Sequence, residues 1–140
     1  MLNNEQKLLL ILAMTFISML VVSNIIAVKT IMVGGLIGPA AVLCYSLTFA
    51  VSDTISELWG RKTTQFVVNI GFGAAILAAI FIKLAIEMPG SPFWENQEAF
   101  ESILGSNLRI VAASLIAYFV SQSHDVWAFH FWKRKTNGRF

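Results

Sequence analysis

A single cysteine, three prolines and two histidines are spread over 140 residues, and only 13% of the chain is charged. One cysteine excludes an intrachain disulfide framework and a cysteine-based metal site, and Cys44, set in an apolar run, reads as packing. His124 and His130 lie about 120° out of phase on a helix, so the two cannot clasp one metal from the same face. Also missing are a phosphate-cradling glycine-rich loop ending in Lys-Ser or Lys-Thr, a His-Glu-x-x-His pair and a nucleophile elbow. These absences leave no enzyme signature, and neither cofactor nor metal is expected.

The scarcity of charge is matched by apolar excess: 56% of residues are hydrophobic and the mean hydropathy is +0.70. An ordinary soluble domain is roughly 25% charged, and one of this size could not hide so much apolar surface from water. The reading is therefore an all-α integral membrane protein of about four transmembrane helices. A crossing helix needs about 20 apolar residues. The charge-free stretch Leu8 to Val28 supplies a first span that is too long for a signal-peptide core and is followed by no small-x-small cleavage pattern.

Residues 32–39, with three glycines and Pro39, suit a turn or a re-entrant piece. The second span is expected over 39–58, with Pro39 in its first turn and Gly60 as its C-terminal stop. The third is expected over 63–82, where Gly71, Ala75 and Ala79 recur every four residues and let a neighbouring helix come close. A polar loop with Pro89, Gly90 and Pro92 leads to an amphipathic piece, Glu98 to Leu104, suited to the membrane surface, and a fourth span covers 110–132. Trp59, Trp94, Trp127 and Trp132 fall near these boundaries, as an interfacial belt requires.

Basic residues orient the spans, because an excess of them stays cytoplasmic. With both termini inside, Lys7, Arg61, Lys62, Lys133, Arg134, Lys135 and Arg139 are cytoplasmic, against Lys29, Lys83 and Arg109 outside. That distribution at helix ends accounts for the net charge of +2 without nucleic acid as a partner.

Ionisable groups inside a span cost about 2.5 to 3.5 kcal/mol each on insertion scales and so ask for a partner, water or a ligand. Asp53 and Glu57 share a helix face, with Arg61 expected to extend it; a solvated Glu57–Arg61 pair at the interface is the bland alternative. In the fourth span Ser114, Tyr118, Ser121 and Asp125 fall within an arc of roughly 60°. Gln122 and His124 flank this stripe, and Asn24, near the end of the first span, serves either as interhelical glue or as a ligand contact. The candidate substrate-binding residues are thus Asn24, Asp53, Glu57, Tyr118, Gln122 and Asp125.

Several stretches together resemble one family: Ser23-Asn24-Ile25-Ile26-Ala27-Val28-Lys29, Pro39-Ala40-Ala41, and above all Ser52-Asp53-Thr54-Ile55-Ser56-Glu57-Leu58-Trp59-Gly60-Arg61. Phe93 to Phe100, Arg109 to Tyr118 and Asp125-Val126 continue the match in order. They are similar to the queuosine precursor transporters, also grouped as vitamin uptake transporters. The resemblance implies a multi-helix inner-membrane importer of 7-deazaguanine bases, such as the 7-cyano or 7-aminomethyl compound, in a bacterial cell membrane. It also implies six membrane helices, so residues 1–140 are expected to be one transporter domain that lacks the last two.

The partners implied are the lipid bilayer and a purine-like small molecule, with a homo-oligomer left open. Two other readings stand beside the importer. One is a vitamin-binding subunit of an ATP-driven uptake complex, and the other is a structural membrane subunit whose polar residues only lock helices together.

Overall fold

The computed structural model describes residues 3–118, 120 and 121, and within them the chain is mostly helical. Helix α1, Asn4–Ile26, begins earlier than the apolar run because Asn3 caps it. The Asn3 side chain accepts from the Gln6 amide at 2.7 Å while the Gln6 side chain accepts from the Asn3 amide at 3.1 Å, satisfying two donors at the helix start.

The glycine run that follows is an antiparallel ribbon rather than helix, which is the one departure from an all-α fold among the described residues. Strand β1, Thr30–Val33, pairs with β2, Leu36–Pro39, across Gly34 and Gly35. Both glycines have positive φ, the conformation a two-residue hairpin turn demands. Pro39 therefore closes β2 instead of opening a helix. The Ala40 amide donates to the Lys29 carbonyl at 2.8 Å just beyond the Thr30–Pro39 pair, and this bond carries the ladder past proline to the position before the helix.

Helix α2, Val42–Glu87, holds 46 residues, about 69 Å if straight and more than twice the ~30 Å hydrocarbon layer. It is broken at Gly60, whose φ of 80° and ψ of 167° belong to a region open essentially to glycine alone. The break folds two arms against α1. Ile55 of the first arm, fully buried, and Val67 of the second share a core with Phe16 and Leu20 of α1, flanked by Val51, Trp59, Val68 and Phe72. Gly60→Ala is expected to cost about 1 to 3 kcal/mol, seen as a lower midpoint for unfolding of the detergent-purified protein. An unchanged midpoint would show that the arms do not depend on this backbone geometry.

On the second arm the small-residue stripe is buried, with Ala75 and Ala79 packed beside Val21 of α1 and beside Val111 and Leu115. Those last two belong to α4, residues 107–118, which follows the eight-residue helix α3, Gln97–Leu104. No residue of α3 is buried. The loop before α3 is tied down through Gln97, which accepts from the Trp94 indole at 3.0 Å and donates to the Ile86 carbonyl at 3.1 Å.

Among the described residues, three stretches are long and apolar enough to cross a membrane: α1, α2 and the combined stretch Gln97–Tyr118. Their outer faces carry Ile11, Met14, Leu43, Phe66 and Phe81, each at least 60% exposed. Rings and aliphatic chains in that number are disfavoured in water and at home in lipid, so the chain is a membrane protein.

Candidate functional site

A cavity of about 430 Å³ opens where α1, both arms of α2 and α4 converge. The first arm presents Tyr45, Thr48, Phe49 and Ser52, spaced i, i+3, i+4 and i+7 and hence on one helix face. Across from it Ser114, Ala117, Tyr118 and Ser121 follow the same spacing. Phe16 and Leu20 of α1 and Val68 and Phe72 of the second arm close the remaining walls.

Five of these twelve linings are aromatic, and the Phe72 and Tyr118 rings lie 4.5 Å apart at 48°. The Gln65 amide nitrogen donates to the Tyr118 hydroxyl and, at 3.2 Å, to Asn69, so the Tyr118 ring is held from both its face and its tip. Thr48 donates its hydroxyl proton to the Tyr45 carbonyl at 2.8 Å, and Ser52 donates to the Phe49 carbonyl at 2.9 Å. Each proton is turned back onto its own helix, which leaves the oxygens as acceptors on the wall. Chemically the cavity is suited to a flat solute that brings N–H donors.

Tyr118 lines the cavity together with its stripe neighbours Ser114 and Ser121. Asp53 and Glu57 share a face of the first arm, but both are exposed and neither belongs to the lining. Arg61 does not continue their face, because the helix turns at Gly60 and puts it on the other arm. The one ion pair among the described residues is Lys83–Glu87, at 3.0 Å. Asn24 is 3% exposed in the last turn of α1, away from the cavity, and its side-chain oxygen has no hydrogen-bond partner. Gln122 and Asp125 lie outside the described residues, as do His124, His130 and the second half of the fourth expected span. Among the described residues, no group of three His, Cys, Asp or Glu is placed to hold a metal.

The face carrying Tyr45, Thr48 and Ser52 was not singled out by charge, yet its signal is present as hydroxyls recurring at helical spacing within an apolar run.

Residues 39–140 match the family profile described as "Putative vitamin uptake transporter". The chain belongs to this family. The matched region contains every cavity residue except Phe16 and Leu20 of α1, so the wall facing α1 is family sequence. A similar protein is the one named "Probable queuosine precursor transporter" of Bacillus subtilis (strain 168), 26% identical over 109 residues. The alignment takes in 78% of this chain and 48% of that protein, so the chain spans about half the length of the curated relative it matches. No solved structure matches the chain. The vitamin uptake transporter family is one of transporters and not of enzymes.

Proposed function

We propose that this protein imports a 7-deazaguanine precursor of queuosine, such as the 7-cyano or 7-aminomethyl base, across a bacterial inner membrane, holding it in the cavity between α1, α2 and α4. The observation that carries the proposal is the cavity itself. Its volume of about 430 Å³ falls within the ~300–1,000 Å³ common for small-molecule sites. Its aromatic walls offer stacking to a flat ring system, worth about 1 to 3 kcal/mol per base in nucleic-acid sites. The relative named for queuosine precursors supplies the substrate class.

A deazaguanine carries adjacent N–H donors on one edge, and the Thr48 and Ser52 oxygens are the acceptors that answer them. Tyr118 stacks or bonds from the opposite wall. Few polar contacts suit a transporter, because a site that binds too well does not release. In this reading the chain is one membrane-embedded domain crossing four times: α1, the two arms of α2 and the span from about 110 to 132. Both termini are cytoplasmic, which puts seven of the ten basic residues inside. Asp53 and Glu57 then lie between the cavity and the cytoplasmic turn at Gly60 and serve the exit path, with Gln122 and Asp125 as further polar contacts, while Asn24, at the opposite, external end of α1, serves the entry side.

Membrane vesicles carrying the protein should accumulate radiolabelled 7-cyano-7-deazaguanine above protein-free vesicles, and Tyr118→Ala should abolish the excess. Equal accumulation with and without the protein would refute the assignment.

A further inference from the structure

A second cavity, of about 260 Å³, lies at the far end of the second arm of α2 from Gly60 and is lined by both Lys83 and Arg109. Lys83 stands one turn before the end of α2 and Arg109 in the first turn of α4, so two cations from different helices meet one opening at one end of the bundle. The other walls are almost wholly apolar: Ala79, Ile82, Ile86, Leu104 and Leu108. Among the described residues Lys83 is engaged only by the Glu87 carboxylate, in a pair whose side chains are 57% and 59% exposed, and such pairs are weakly held. The start of α4 adds the partial positive charge of a helix N-terminus.

Cations above an apolar floor, at the level where spans leave the hydrocarbon, form an amphiphilic receptor. A soluble anion would use only its rim. We infer that this cavity binds the headgroup phosphate of an anionic phospholipid, Lys83 and Arg109 taking the charge while the acyl chains descend along the apolar wall. The site is separate from the substrate cavity, since the two share no residue. It would hold α2 and α4 together at the membrane surface, where α3 contributes no buried residue to do so.

The test is native mass spectrometry of the full protein purified in detergent with equal amounts of phosphatidylglycerol and phosphatidylcholine. The protein should retain phosphatidylglycerol in preference, and Lys83→Gln with Arg109→Gln should weaken that retention roughly thirtyfold, as expected for two basic residues near the surface. The charge-conserving pair Lys83→Arg with Arg109→Lys should keep it. Should the neutralised pair fail to elute as folded protein, Arg109→Gln alone should lower retention about fivefold. Undiminished retention in the neutralised variants, equal loss in the charge-conserving pair, or displacement of the lipid by millimolar inorganic phosphate would each overturn the inference. The last result would assign the site to a soluble anion.

Discussion

Gly71→Leu is expected to drive α1 off α2 and leave little folded protein in detergent. A Cβ at this position would already sit 3.1 Å from both Leu20 and Phe16, which are 5% and 6% exposed, so the remaining carbons of leucine must displace both side chains. Overpacking of this kind costs about 1 to 3 kcal/mol when neighbours can shift and more when they cannot. Gly71→Ala asks the same two side chains to give by only a few tenths of an ångström and should be milder. Gly73→Leu is the control, since a Cβ there meets nothing within 4 Å, and it should equal or exceed the parent in stability because glycine is a poor helix residue. Thermal unfolding of the three purified variants checks the order; equal midpoints for Gly71→Leu and Gly73→Leu would remove close helix approach from the account.

The second large effect concerns function. Ala117→Trp should reduce uptake and binding of the base to background while the protein still folds, because the added ring points into existing empty space. Ile116→Trp, one residue earlier and 65% exposed, places the same ring on the outer surface and should leave uptake intact. If both variants transport equally well, the cavity is not the substrate's route. If Ala117→Trp loses uptake but also elutes as aggregate, Ala117→Phe gives the same comparison with a smaller group.

Much of this site is written in residue spacing. The stripe of Ser114, Tyr118 and Ser121 follows from the helical period, and all three line the cavity. The stripe of Gly71, Ala75 and Ala79 is likewise readable, since small residues four apart have few other uses in a membrane helix. Other features needed the three-dimensional path. Pro39 fits the first turn of a helix and the end of a strand equally well, and the pairing of Thr30 with Pro39 and the Lys29–Ala40 hydrogen bond beyond it decide between them.

Gly60 reads as a stop with a third span returning from 63, and a face that runs on to Arg61 would need the helix to continue past it; the backbone at Gly60 ends that face one residue short. Carboxylates draw attention because carrying them into a membrane is expensive, yet Asp53 and Glu57, both exposed, stand outside the cavity lining. Hydroxyls are cheaper to carry into an apolar helix because they bond back to the backbone, so Thr48 and Ser52 pass unnoticed in the same run.

The central claim, that a purine-like base occupies the space between α2 and α4, is tested most directly by protection of a cysteine placed in its wall. Cys44 is the only cysteine, so Cys44→Ser with Ala117→Cys yields a chain whose one thiol faces the cavity. Bound 7-cyano-7-deazaguanine should slow modification of that thiol by a methanethiosulfonate reagent, and should not slow it at Gly73→Cys on the open face of the same arm that carries Phe72. Identical modification rates at Ala117→Cys with and without a concentration of base that saturates uptake would contradict it.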